Sequence, residues 1–158
     1  MHTPEERHEL IEKIRALTEQ LEAVVAPLTE KQLTTHFIPG EWTVAQAVHH
    51  LADAHMNSYI RMKQILTQDD PPLSSTDQDA WAGLPDAGRA ALDDSIMLLK
   101  GLHHRWAIML EGLSEEQWAR RGVRAERGPV SLDEMLTIYG NHGEAHLAQI
   151  ARALAAQS

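Results

Sequence analysis

The sequence predicts an all-α fold, an antiparallel-type four-helix bundle with a long crossover and short connecting helices, and three observations carry that prediction. Four segments repeat apolar residues at three- and four-residue intervals. Three of them open on a Ser/Thr-x-x-Glu/Gln capping signature. Between the second and third, residues 69–86 hold Pro71-Pro72, Ser74-Ser75, Gly83 and Pro85 and follow neither the helical nor the strand period. At 158 residues and 43% hydrophobic, the chain can bury a sizeable core, and 1–158 reads as one domain.

In the first helix Leu10, Ile14, Leu17, Leu21, Val24 and Leu28 form one stripe, and Thr3-Pro4-Glu5-Glu6 caps it. Thr3 and Glu6 can satisfy orphan amides reciprocally, while Pro4 sits where a missing N–H costs nothing. The second helix, about 43–68, starts at the Thr43/Gln46 box after the Pro39-Gly40 turn and carries Val44, Val48, Leu51, Tyr59, Met62 and Leu66. The third, about 88–112, carries Leu92, Ile96, Leu99, Leu102, Trp106 and Leu110. The fourth starts at Ser131-Leu-Asp-Glu134 and runs nearly to the end through Met135, Tyr139, His142, His146, Ile150 and Leu154. Leu28-Thr-Glu-Lys-Gln-Leu33 and Leu113-Ser-Glu-Glu-Gln-Trp118 echo one another as mini-helices, each preceding a long histidine-bearing helix. If the echo is structural, the second and fourth helices occupy corresponding positions and face each other across the core. Residues 122–130 are open to a loop or a short hairpin.

Composition excludes several function classes. Fourteen basic against 23 acidic residues give a formal charge of −9, and Arg120-Arg121 is the one basic pair, so a phosphate-backbone footprint is not expected and no nucleic-acid partner is predicted. Cysteine is absent, which removes disulfides, thiolate metal sites and a cysteine nucleophile. No secretion signal or membrane-spanning run is recognisable, so a cytoplasmic protein without a membrane partner is the default expectation.

The chain has ten histidines, and helical-wheel position separates them better than number does. His142 and His146 lie four apart on one face, with Met135, Tyr139, Gln149 and Ala153 on the same inward arc; Glu144 points away, and His-Glu-x-x-His is absent. On the second helix His50 lies on the flank of the apolar stripe between Ala47 and Ala54, whose small side chains leave room beside an imidazole. His55 falls inside the stripe and reads as a core or ligand-supporting histidine; His49 reads as a surface residue or another helix contact. His103 points inward one turn before Trp106, as a satisfied buried histidine or a pocket residue, and His2, His8, His36 and His104 read as exposed. Trp42 and Trp81 read as packing or loop anchors. Asp53, one turn past His50, is placed to orient an imidazole through its second nitrogen.

The blocks Trp42-Thr-Val-Ala-Gln-Ala-Val-His49-His50-Leu-Ala-Asp-Ala-His-Met-Asn-Ser-Tyr-Ile-Arg61, Leu102-His-His-Arg-Trp106 and His142-x-x-x-His146-Leu-Ala together resemble the DinB-like superfamily, specifically its YfiT branch, over residues 4–152. The resemblance implies a four-helix bundle with one divalent ion per chain, Zn(2+) or Ni(2+), held by His50, His142 and His146, and a homodimer. It implies a metal-dependent hydrolase or a bacillithiol S-transferase, with Asn57, Arg61 and His103 as branch residues of the substrate pocket. Where the family's last helix is often richer in histidine, this chain has Asn141, Glu144, Ala145 and Gln149.

Three neutral imidazoles leave a divalent ion its full charge and open coordination positions, the pattern of a catalytic rather than a closed structural site. With no acidic residue clearly addressed to the site, thiol transfer to a small electrophile is the leading expectation, the thiol arriving with a bacillithiol-like cosubstrate. Hydrolysis by metal-activated water is the alternative, and a non-catalytic metal-binding bundle is the third. Arg61, whose rigid fork suits a carboxylate, and Asn57 are expected along the substrate pocket. Leu132, Leu136, Leu147 and Leu154, outside the ligand arc, add an apolar surface consistent with a homodimer or with packing inside the monomer.

Overall fold

The computed structural model describes residues 1–89, 91–125 and 127–157. Its elements in chain order are α1 (Pro4–Val25), α2 (Glu30–Thr34), α3 (Val44–Thr67), β1 (Pro72–Leu73), α4 (Gln78–Ala82), α5 (Pro85–Arg89), α6 (Leu92–Glu111), α7 (Glu115–Ala119), β2 (Arg121–Arg124), β3 (Gly128–Ser131) and α8 (Leu132–Ala155). All the expected capping boxes form, at Thr3/Glu6, Thr43/Gln46 and Ser131/Glu134, and the two mini-helices are capped the same way by Thr29/Gln32 and Ser114/Gln117. Only the third long helix starts later than its periodicity suggests. Residues 88 and 89 belong to α5, residue 90 lies outside the described residues, and α6 opens at Leu92 with no side-chain cap on Ala91.

The four long helices pack in the cyclic order α1, α6, α3, α8. Contacts fix their directions. Arg7 meets Asp133 and a Cβ on Gly143 would meet Leu17, so α1 and α8 run parallel. His49 meets Ser95 and Met62 meets Trp106, so α3 and α6 run parallel as well. An antiparallel-type bundle is thereby corrected to one with two parallel neighbour pairs. The parallel α3/α6 pair explains the long connection, because the chain must return along a helix of 24 residues, about 36 Å, before α6 can start. The segment does so along the flank of α3: Arg61 donates to the Ser74 carbonyl, and further back Gln46 donates to the Ala82 carbonyl at 2.9 Å.

Residues 122–130 resolve as part of a hairpin, with residue 126 outside the description. β2 and β3 pair antiparallel and β1 joins β2 in parallel, Pro72 opposite Val123. The sheet closes the end of the bundle where α3 finishes, and Arg120 donates to the Ile65 and Gln68 carbonyls there, at 2.7 and 2.6 Å. The basic pair noted in the sequence thus serves in part to cap a helix.

The core divides into two apolar clusters. One, near the sheet, contains Leu10, Ile14, Met62, Ile65, Trp106, Leu110, Leu132, Met135 and Leu136; the other contains Leu17, Leu21, Val44, Val48, Leu51, Leu99 and Ile150. On α3, α6 and α8 the residues between them in sequence are His55, His103, and His142 with His146, so an imidazole layer interrupts the bundle core. Close approach of α1 and α8 brings this layer together. A Cβ on Gly140 would lie 2.8 Å from Leu10 Cδ2, and one on Gly143 would lie 2.5 Å from Leu17 Cδ2.

Leu132 and Leu136 are fully buried, and Leu147 and Leu154 pack against the second cluster. Leu132 and Leu136 therefore serve the core of one chain, while Leu147 and Leu154 stay partly exposed at its edge. No helix among the described residues is long and apolar enough to cross a membrane.

Candidate metal centre

His50 comes from the second turn of α3, and His142 and His146 from the middle of α8. Because α3 and α8 are antiparallel neighbours, the flank of one stripe meets the inward arc of the other. One ligand-capable atom from each of the three histidines lies within 4.8 Å of the other two. The Nε2 atoms of His142 and His146 are 3.2 Å apart. Two imidazoles bound to one tetrahedral ion at about 2.0–2.1 Å would hold their nitrogens roughly 3.3 Å apart. His50 Nε2 is buried with no hydrogen-bond partner, a costly state for a ring nitrogen unless something binds it. These observations fit a divalent ion, and no fourth histidine or carboxylate joins the group among the described residues, so coordination positions remain open.

The remaining ring nitrogens are held by a hydrogen-bond network. His146 Nδ1 lies 2.8 Å from Gln149 Oε1, an acceptor, so Nδ1 carries the proton and Nε2 keeps its lone pair for an ion. His142 Nδ1 lies 3.2 Å from His55 Nε2, His55 Nδ1 lies 2.9 Å from His103 Nε2, and His103 Nδ1 lies 3.2 Å from Thr18 Oγ1. If His142 Nε2 is reserved for the ion, each ring is assigned the same tautomer: His142 donates to His55, His55 to His103, and His103 to Thr18. His55, read from the stripe as a core or ligand-supporting histidine, is fully buried and hydrogen-bonds the candidate ligand His142. Asp53 does not take that role toward His142 or His146, whose second ring nitrogens meet His55 and Gln149.

Burial disfavours the imidazolium form throughout the layer. It lowers the pKa of His50 to about 4, with His146 adding repulsion, and that of His142 to about 3, with His146 and His50 adding to it. Burial also lowers His103 to about 4, and it pushes His55 well below the ordinary range with help from the neighbouring histidines. His146 is lowered by burial too, against the opposing pull of its bond to Gln149. At neutral pH the candidate ligands are uncharged, so metal binding displaces few protons.

Trp42, read from the sequence as an anchor, lines the site. Its ring centroid is 4.7 Å from that of His50, it lies nearly parallel to His146, and its indole N–H donates to Asp79 Oδ1 at 3.1 Å. Its position just before the Thr43 cap was the available signal, together with the small residues around His50. Gln149 stood on the inward arc with no role assigned to it. His49 is buried against Ser95 of α6, and His2 is half-buried against Thr137.

The three expected pocket residues separate. Arg61 lines a cavity of about 280 Å³ beside Tyr139, one turn before His142. Asn57 is half-buried one turn nearer His50 and is not part of that lining. His103 sits behind His55, because α6 packs against the side of α3 that faces α1, and its second ring nitrogen meets Thr18 rather than the cavity.

A four-helix bundle with three inward imidazoles and open coordination positions defines a metal-binding bundle of the kind that supports catalysis. The chain belongs to the DinB superfamily, whose profile matches residues 12–150. A protein of Geobacillus thermodenitrificans named as a candidate metal-dependent hydrolase is 42% identical over 147 residues, covering 92% of this chain and 83% of that protein. One from Geobacillus kaustophilus, similarly named, is 41% identical over 148 residues, with the same 92% and 83% coverage. The solved structure of YfiT from Bacillus subtilis, described as a candidate metal-dependent hydrolase with an unusual four-helix bundle topology, superposes with a TM-score of 0.93 at 35% identity, covering 97% of this chain and 88% of that one. The parallel pairing of α1 with α8 and of α3 with α6 is consistent with that description. A mycothiol-dependent maleylpyruvate isomerase shares the fold at a TM-score of 0.71 and 16% identity, covering 95% of this chain and 63% of that one. Family membership and the histidine site together support metal-dependent catalysis of the hydrolase or transferase type.

Proposed function

We propose that this chain is a divalent-metal-dependent hydrolase of small molecules, with His50, His142 and His146 holding one Zn(2+) or Ni(2+) ion. The observation that carries the reading is the convergence of three neutral imidazoles, one with an orphaned buried Nε2, with no fourth protein ligand among the described residues. When bound, a divalent ion in this setting supplies Lewis acidity, polarising a carbonyl and acidifying water toward neutral pH. The protein's own part is to orient the ligands through His55 and Gln149 and to wall the site with Trp42. The names of the relatives favour hydrolysis over the thiol transfer expected from the sequence.

One observation sustains thiol transfer as the second reading. The candidate group contains no carboxylate to act as a base, and a thiolate delivered by a small cosubstrate needs none. The chain has no cysteine, so that sulfur would have to come from outside, from a bacillithiol-like thiol. Homodimerisation belongs to the same family-based proposal.

Metal content of wild type against His50→Ala and His142→Ala tests the site, with one ion per chain expected in wild type and loss in both variants. Ester and amide hydrolysis measured beside thiol conjugation, with His142→Ala as control, tests the reaction. Conjugation that requires thiol, without hydrolysis, would replace the first reading with the second.

A further inference from the structure

The cavity beside the metal centre is lined by three arginines from two separate parts of the chain. Arg61 comes from α3, and Arg124 and Arg127 come from the β2–β3 hairpin; Ser74, Thr76 and Tyr139 add hydroxyl groups. Among the described residues no carboxylate contributes to the lining and none pairs with any of the three guanidinium groups, although the chain carries a formal charge of −9. Arg61 is only 6% exposed, it donates to the Ser74 carbonyl, and its Nε has no partner at all. A buried guanidinium without a counter-ion is expensive, and a fold that leaves one facing a cavity leaves a place for an anion. Long-range attraction cannot supply that anion in so acidic a chain, so the binding has to be local and bidentate.

The surroundings also give the ligand a direction. Tyr139, His142, His146 and Gln149 follow one another along α8. Tyr139 lines the arginine cavity, and His146 and Gln149 line a second cavity of about 220 Å³ with Trp42, Glu41 and Asp79. The histidine pair thus stands between a basic end and an acidic end. A carboxylate is drawn to the arginines rather than to the side of Asp79 and of Glu41, which pairs with Arg152, and this places the remainder of the molecule over the metal centre.

We infer that the cavity binds a small organic acid with two carboxylates, one on Arg61 and the other on the hairpin arginines Arg124 and Arg127. The inference rests on the hydrolytic reading only for which part of the ligand reaches the histidines; the binding itself stands apart from it.

The test is calorimetric titration of the zinc-bound full chain, and of the same chain after chelation, with succinate, neutral succinamide and inorganic phosphate. Saturable succinate binding in both forms is expected, with none for succinamide. The double variant Arg124→Gln/Arg127→Gln should weaken succinate binding at least about tenfold. Its melting temperature and circular dichroism should match wild type, since both side chains lie at the hairpin and neither is fully buried. Arg61→Gln should weaken binding further. The inference is overturned if succinate does not bind, if succinamide binds equally, or if phosphate binds in place of succinate. It is also overturned if chelation abolishes binding while the double variant retains it, because the carboxylate would then sit on the ion. Absence of ester or amide hydrolysis would count against the proposed reaction and leave this result untouched.

Discussion

Replacing His55 with leucine isolates the role of the imidazole layer, because the two side chains have similar volumes and the position is fully buried. The substitution removes hydrogen bonds of 2.9 Å to His103 and 3.2 Å to His142 while leaving both partners in place. Each stranded buried nitrogen costs about 1–3 kcal/mol, so metal-free His55→Leu should lose roughly 2–6 kcal/mol, reduced by the lower desolvation cost of leucine itself. The metal site should suffer separately. His142 loses the acceptor that keeps its proton on Nδ1, and removing such an outer partner lowers metal affinity about 10–100-fold, equivalent to about 1.4–2.7 kcal/mol. Urea denaturation of the metal-free chain gives the first quantity and chelator competition with zinc gives the second. His103→Leu provides the comparison: it should reproduce much of the stability loss but little of the affinity loss, because it is one ring further from the ion. Zinc affinity for His55→Leu equal to wild type, in a chain that still folds, would refute the argument that His55 orients His142.

Two further outcomes follow from burial and packing. In the metal-free protein the folded-state pKa values of His50 and His103 at about 4, and of His142 at about 3, lie below that of an unfolded histidine, so the unfolded chain binds more protons across that window. Stability should therefore be complete above about pH 6.5 and fall as the pH drops toward 4, each histidine adding about 1.4 kcal/mol per pH unit; urea midpoints that stay level from pH 7.5 to 5 would contradict this. Gly143→Ala and Gly101→Ala should differ in sign. The first forces a Cβ within 2.5 Å of the buried Leu17 side chain and should cost up to about 2 kcal/mol after the gain in helix propensity, whereas the second meets nothing within 4 Å on an exposed stretch of α6 and should gain roughly 0.5–1 kcal/mol. Thermal melts showing both variants stabilised would remove the close α1/α8 approach as a constraint.

The four long helices, the capped starts of α1, α3 and α8 and the inward-facing histidines are legible in the sequence, because these depend on local periods and caps, whereas α6 opens without a side-chain cap and starts later than its periodicity suggests. Leu10 to Leu21 and Val44 to Met62 each mark one face of a helix, and Thr3, Thr43 and Ser131 each satisfy amides three residues away. His50 could be separated from His49 and His55 on the same grounds, since the wheel angle of a side chain is a property of its own helix. What lies opposite that face is not. Periodicity does not say that α1 runs parallel to α8 or α3 to α6, so it could not show that His55 meets His103 on one side and His142 on the other. For the same reason periodicity left Leu132 and Leu136 open to a partner or to their own bundle, and the packing of α8 puts both in the core. The hairpin that brings Arg124 and Arg127 to Arg61 has no period long enough to read, and its residues reach the cavity only because the end of the bundle is closed by the sheet. Local propensity fixed which side each helix buries, and only the tertiary packing decided which buried polar groups would find each other, because a hydrogen bond or a ligand set between distant residues depends on helix direction and neighbour choice.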